Sequence, residues 1–313
     1  MKKIKIVYFG TPQFAVPPLA TLSNDSRFEV VLVVTTPDVY IGRKQEIAES
    51  PVALMASKLG IPVLKPESLR NDEVISIFKK HEADYFVVLA YGKIFPKNIL
   101  EIPKIACVNV HGSILPHYRG ASPVQSALMS GESETGITIM LMDEKMDEGD
   151  ILEIHRAPIT TYETTEELMS TLSQLSSKYL PDALIQFADG SITPIAQDHT
   201  MATYTKKLLK EDGYFNPLFT DAEHILWKWK GVTPWPSLYT FVDSRRLKIL
   251  KILLSEKIIG PGIFEIEKDR LFLGTKKGSL EILFLQIEGK KVTSTAEYIS
   301  GLQGKVPTFT LPQ

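Results

Sequence analysis

Along the first half of the chain, short continuous apolar runs alternate with helical segments of ten or so residues. Ile4–Phe9, Phe28–Thr35, Tyr85–Ala90 and Ile105–Val110 read as buried strands, and Thr135–Met142 as a strand of alternating character. Phe14–Leu22 reads as a helix. Ser50-Pro51 and Ser122-Pro123 each place a capping residue before a proline at the first helical position. Thr164-Thr165-Glu166-Glu167 is a capping box that opens a helix running toward Ala188. Strands separated by helices predict an α/β fold with a doubly wound, mostly parallel sheet. Asp189-Gly190 ends that rhythm, and a polar, irregular stretch follows. Beyond it come short β-like runs, Ile249–Leu254, Ile263–Ile266, Leu271–Leu273 and Leu280–Gln286, parted by turns such as Gly260-Pro261-Gly262 and Lys276-Lys277-Gly278. That spacing predicts a small β-barrel. The expected organisation is a catalytic domain over 1–189, a linker over 190–208 and a β-barrel domain over 209–313.

Composition changes this picture little. The chain has 313 residues, a length that suits two domains, and its 44% hydrophobic content supports sizeable cores without disulfide staples. One cysteine, Cys107, excludes an intrachain disulfide and fits a reducing compartment. The N-terminal apolar run is too short for a signal peptide, and no segment approaches a membrane span. The expected location is therefore cytoplasmic. The formal net charge of −2 conceals an asymmetry: residues 206–313 carry 17 Lys and Arg against 12 Asp and Glu, and the remainder 18 against 25. A basic tail on an acidic body suggests an anionic macromolecular partner, although an excess this small is also ordinary surface charge.

The candidate chemistry lies at the end of one apolar run. Val108-Asn109-Val110-His111-Gly112-Ser113-Ile114-Leu115-Pro116 passes from strand into a loop and continues through His117-Tyr118-Arg119-Gly120. Alternation puts Asn109 and His111 on one face of that strand. Open α/β sheets bind ligands at the carboxyl ends of their strands, so two hydrogen-bonding side chains aimed at one point there suit an oxyanion site. A capped strand end is the competing reading of the same residues. Met142-Asp143-Glu144-Lys145-Met146-Asp147-Glu148-Gly149-Asp150 is dense in carboxylates, one of which could return to that face if the two strands are neighbours. There is no Gly-x-Gly-x-x-Gly, no Walker-type phosphate loop and no Gly-x-Ser-x-Gly. The six histidines are scattered, with no paired metal-ligand spacing, so no metal is expected.

Asn109 to Pro116 resembles the Asn-x-His-x-Ser-Leu-Leu-Pro signature of the folate-dependent formyltransferases, and Met146-Asp147-Glu148-Gly149-Asp150 resembles their Leu-Asp-Thr-Gly-Asp loop. Phe9-Gly10-Thr11-Pro12, Ala90-Tyr91-Gly92, Glu134-Thr135-Gly136-Ile137-Thr138, Thr203–Leu208 and Thr233-Pro234-Trp235-Pro236 extend the resemblance over nearly the whole chain. It implies a Rossmann-like catalytic fold with an OB-like tail domain. It also implies transfer of a formyl group from 10-formyltetrahydrofolate, as co-substrate, to the α-amino group of initiator methionyl-tRNA. Asn109, His111 and Asp147 would be the catalytic residues. The folate would lie against Leu89, Tyr91, Gly92, Ile94, Ser113, Ile114, Leu115, Pro116, Thr138 and Met142. The family's tRNA-inserting loop maps to Thr36–Glu46, with Arg43 and Lys44 as its basic residues. Here Val39 and Tyr40 replace the usual Arg-Pro, and Gln45-Glu46 replaces basic residues. Lys206, Lys207, Arg245, Arg246 and Lys248 are candidate tRNA contacts, with solvated turns as the plain alternative for the tail residues. Trp235 is expected to pack at a hinge between domains. The working form is expected to be a monomer. A formyltransferase for nucleotide-linked amino sugars shares the triad and the fold and is the alternative activity.

Overall fold

The computed structural model describes residues 2–41 and 46–312. By their contacts they divide into two compact units. The first holds 1–123, 134–158 and 169–206; the second holds 124–133, 159–168 and 207–313.

The first unit is built on a seven-stranded sheet. Its strands are β1 (Ile4–Gly10), β2 (Phe28–Val34), β3 (Val63–Leu64), β4 (Tyr85–Leu89), β5 (Ala106–His111), β6 (Glu134–Leu141) and β7 (Ile151–Pro158). They lie in the order β7-β6-β5-β4-β1-β2-β3. The pairs from β3 to β5 are parallel, whereas β6 and β7 join antiparallel. The sheet is thus mostly parallel, as expected. β4 is buried at every residue, which its unbroken apolar sequence Tyr-Phe-Val-Val-Leu requires. The order reverses between β1 and β4, the switch point at which such sheets open a crevice beyond their carboxyl ends.

The helices start where their caps dictate. α1 (Val16–Asn24) follows a short 3₁₀ turn. α2 (Pro51–Lys58) has Ser50 as N-cap, whose hydroxyl accepts from Ala53 N at 3.0 Å. α3 (Asp72–Lys80) carries acids in its first turn and lysines in its last, matching the helix dipole. On the sheet face toward α3, Phe9 packs its ring against Phe78, Phe86, Tyr91 and Phe95, with centroids 4.9–5.5 Å apart. Cys107 belongs to this core, and burial pushes its thiol pKa far up.

The second unit contains α4 (Pro123–Met129) almost entire, the opening turn of α5 (Thr165–Ala188), α6 (Ala222–Val232) and α7 (Thr295–Gly301). Its strands are β8 (Leu238–Val242), β9 (Arg245–Ser255), β10 (Phe264–Glu267), β11 (Arg270–Gly274) and β12 (Ser279–Ile287). They pair antiparallel throughout in the order β8-β9-β12-β11-β10. Thr293-Ser294 adds a short sixth strand, antiparallel to β12. Among the described residues no ladder joins β8 to β10, so the six strands form an open sheet. Breaks in the β9–β12 register bend it. One core of Phe215, Ile225, Trp229, Leu238, Ile249, Leu271, Ile282 and their neighbours fills its inner face. α6 reaches α4 closely because Gly231 has no side chain: a Cβ there would lie 2.4 Å from Met129 Cγ. Trp235 differs from expectation. It is 53% exposed, and the apolar contact at that turn comes from the buried Val232 and Leu238 instead.

Candidate functional site

β5 carries a core row along one face that changes character at its end. Cys107 belongs to the apolar cluster, and Asn109 and His111 follow it at two-residue intervals. Their cross-strand partners on β6 are Met140 and Thr138. Asn109 is half-buried, and its amide has no hydrogen-bond partner among the described residues. His111 is 6% exposed. Its Nε2 lies 3.0 Å from the Tyr118 carbonyl, an acceptor only, so that nitrogen carries a hydrogen. Its Nδ1 lies 3.7 Å from Oδ2 of Asp147, beyond hydrogen-bond length.

β6 runs antiparallel to β5, so the carboxylate-rich loop after it leaves beside Cys107, where Met142 N donates to the Cys107 carbonyl, and folds back toward the end of β5 to bring Asp147 to His111. The Asp147 backbone is left-handed, with φ 57°. Its Oδ2 accepts from Gly120 N at 2.7 Å. Two further non-glycine residues with positive φ border the same edge, Ala90 directly after β4 (48°) and Tyr118 (60°). Strained backbone of this kind collects at functional sites.

The turn after β5 is pinned from β6. Thr138 Oγ1 donates to the Ser113 carbonyl at 2.6 Å and accepts from Leu115 N at 3.0 Å. Ser113 Oγ donates to the His117 carbonyl at 2.7 Å. The hydroxyl hydrogens of Ser113 and Thr138 are therefore both committed within the protein. Leu89, Tyr91 and Leu115 are buried, Ile114, Pro116 and Met142 half-buried, Gly92 exposed and Ile94 71% exposed. Burial pushes the Tyr91 hydroxyl pKa up to about 12. That hydroxyl and Thr11 Oγ1, on the loops after the adjacent strands β4 and β1, are buried and lack partners among the described residues.

Two residues that the sequence did not single out bind the parts together. Arg119 is wholly buried and hydrogen-bonds Gln197. Gln197 in turn holds the backbone of the Asp147 loop. Residues 190–206, read from the sequence as most of a linker, belong to the first unit, where Tyr204-Thr205 pairs with Arg119-Gly120 as a parallel ladder.

Of the candidate basic residues, Arg43 and Lys44 lie outside the described residues, between the paired segments Val39–Ile41 and Glu46–Ala48. Lys206 and Lys207 are exposed. In the second unit Arg245 is exposed, while Arg246 and Lys248 are half-buried on the sheet face opposite the core. There they lie across from Phe241 and Tyr239. The Arg246 guanidinium sits 4.4 Å from the Tyr239 ring centre. Among the described residues, no three His, Cys, Asp or Glu side chains gather as a metal site, and no helix is long and apolar enough to cross a membrane.

Residues 2–184 match the formyl transferase family, and residues 207–303 match the formyl transferase C-terminal domain. The methionyl-tRNA formyltransferase of Citrifermentans bemidjiense is 39% identical over 302 residues, covering 96% of this chain and 94% of that one. The protein of the same name from a Hydrogenobaculum species is 41% identical over 312 residues, covering 98% and 100%. Among solved structures, the sugar 3N-formyl transferase WlaRD superposes with TM-score 0.68 at 20% identity, covering 93% of this chain and 100% of that chain. HypX from Aquifex aeolicus, solved with tetrahydrofolic acid, gives 0.65 at 14% identity, covering 99% of this chain and 51% of its own. These likenesses run through both units and through the edge that holds Asn109, His111 and Asp147: the chain belongs to the formyl transferase family.

Proposed function

We propose that this protein transfers the formyl group of 10-formyltetrahydrofolate to the α-amino group of initiator methionyl-tRNA, with Asn109, His111 and Asp147 acting at the formyl carbonyl. The observation that carries the reading is the convergence of those three side chains. Two stand on one face of β5, and the carboxylate lies 3.7 Å from the imidazole.

The chemistry asks for no protein nucleophile. A free α-amino group has a pKa of about 7.7–8.0, so much of it is neutral at cellular pH, and esterification lowers the value further. The amine attacks the formyl carbon and charge develops on the formyl oxygen. The Asn109 amide, free of other partners among the described residues, and the His111 imidazole stabilise that charge. Asp147 orients the imidazole. Its Oδ2 is held by Gly120 N, and Oδ1 collects the amine's proton through water. The bond from the formyl carbon to the folate nitrogen then breaks, and that nitrogen takes a proton.

The residues fit a pterin at the β1–β4 edge. The unpartnered buried hydroxyls of Thr11 and Tyr91 suit an absent polar ligand, as does the backbone of the loops after β4, β5 and β6. Arg43 and Lys44 would meet the acceptor end of the tRNA. Lys206, Lys207, Arg245, Arg246 and Lys248 would contact its phosphates. One unit supplies the whole triad, so a monomer suffices, and a lone buried cysteine suits the cytoplasm.

Parallel formylation assays with methionyl-tRNA and with an amino-sugar nucleotide test the reading. Turnover of the tRNA substrate alone is expected. Turnover of the sugar nucleotide alone would replace the reading with the amino-sugar alternative. The match of the tail to the formyl transferase C-terminal domain favours the tRNA substrate.

A further inference from the structure

Residues 197–205 enter the site through hydrogen bonds that formyl transfer itself does not use. Arg119 Nε and one terminal nitrogen donate to Oε1 of Gln197 at 3.1 and 2.6 Å. With its oxygen held there, Gln197 turns its Nε2 the other way. That nitrogen donates to the carbonyls of Asp147 at 2.9 Å and Gly149 at 2.7 Å. A flipped amide would set N–H against guanidinium N–H and oxygen against two carbonyls, so Arg119 permits one orientation only. The rest of the guanidinium faces Tyr204 OH at 3.2 Å, His199 Nδ1 at 3.0 Å and a Glu148 carboxylate oxygen at 3.6 Å.

The clamp grips the loop where its backbone is least comfortable, since Asp147 is left-handed and is not a glycine. The segment that carries Arg119 also touches both ends of the histidine–carboxylate pair. The Tyr118 carbonyl meets His111 Nε2, and Gly120 N–H meets Asp147 Oδ2. Gly120 is fixed in turn: at φ 109° a Cβ would fall 2.6 Å from the Thr205 carbonyl oxygen. Residues 118–120 thus set the imidazole, the carboxylate and, through Gln197, the backbone that bears the carboxylate.

We propose that Gln197, locked in one orientation by Arg119, is a positioning residue that fixes Asp147 against His111. The inference rests on the catalytic reading given above. Gln197→Glu is the discriminating variant. A carboxylate keeps the shape and pairs with the buried guanidinium, yet it cannot donate to the two carbonyls. If Gln197 served only to satisfy Arg119, the folded variant would turn over as well as wild type, whatever stability the carboxylate loses against the two carbonyls. Positioning predicts instead that kcat on methionyl-tRNA falls by up to about 100-fold, the scale of misplacing a reacting group by about an ångström. The KM for formylfolate should stay within about two-fold, and in an Asp147→Ala background the same substitution should cost no more than about two-fold further. Arg119→Met with Gln197→Leu removes the buried charge together with its partner and should lower kcat by a similar factor. A folded variant of either kind with wild-type kcat overturns the proposal. So does a loss that is undiminished in the Asp147→Ala background. If Asp147→Ala alone keeps wild-type turnover, the catalytic reading itself fails and the clamp with it. An inactive Asp147→Ala beside a fully active Gln197→Glu defeats the clamp alone.

Discussion

The carboxyl end of β5 and the outer face of β8–β9 are both clusters of polar side chains, but they are built to opposite standards. At the end of β5 the imidazole, the carboxylate and a guanidinium are withdrawn from solvent, and each is held by named atoms. On the outer face of β8–β9, Arg246 lies over the ring of Tyr239, which clusters with Tyr214 and Phe241 at 5.7–6.0 Å; Lys248 sits across from Tyr239 in the ladder, and Arg245 stands in solvent. A reacting carbonyl demands groups placed to a fraction of an ångström. A polyanion demands only positive charge within a Debye length, about 8 Å at physiological salt. The first arrangement loses most of its effect when one member is removed; the second loses it in small equal steps.

The sharpest way to break that contrast is at Asn109 and His111. Replacing either by alanine should lower kcat about 10²–10³-fold, the usual cost of one oxyanion donor. Folate affinity, followed by ligand fluorescence, should stay near wild type. Near-normal turnover in either variant would reduce the end of β5 to a capped strand.

The basic face should respond differently. Arg246→Ala or Lys248→Ala should each raise the KM for tRNA a few-fold, leave kcat at saturating tRNA intact, and flatten the dependence of log affinity on log salt by about one. Arg43→Ala should likewise weaken use of the tRNA substrate far more than folate binding. A variant that harms folate and tRNA equally would place its residue in the folding of the unit rather than at the polyanion.

The same contrast explains what was legible in the amino-acid sequence. Asn109 and His111 could be paired because a strand repeats every two residues, and Asp147 because a carboxylate-rich loop follows a strand that proves to be the neighbour. Arg119 and Gln197 could not be paired. They stand 78 residues apart, in irregular segments with no periodicity to assign a face, and only the folded chain makes one the anchor of the other. α6 was hidden for a different reason. Its N-cap, Asp221, makes no side-chain capping bond, its tryptophans suit a strand as well, and it sits amid β-like runs. β7 is an edge strand whose apolar residues are interrupted by Glu153, His155 and Arg156, so no apolar run marks it. The basic residues of β9 alternate as any solvated strand face does, and the aromatic cluster that distinguishes them lies on another strand and a loop.

The smallest predicted effect concerns the capping box at the start of α5, a local signal that acts on stability alone. Glu167 accepts from Thr164 N and Thr164 Oγ1, both at 2.8 Å. The backbone bond, the hydroxyl bond and the charge of Lys251 hold its carboxyl below the usual carboxylate range. A carboxyl whose pKa is lowered on folding adds stability above its unfolded value, near 4.3, and gives it up as pH falls through the folded value. Glu167→Ala should therefore cost about 0.5–1 kcal/mol at pH 7 in urea unfolding, a typical capping contribution, and the gap from wild type should close below about pH 4. Glu167→Gln keeps an acceptor for the Thr164 bonds. It should retain most of the neutral-pH stability while losing this part of the acid dependence, which separates the hydrogen bonds of the cap from its charge.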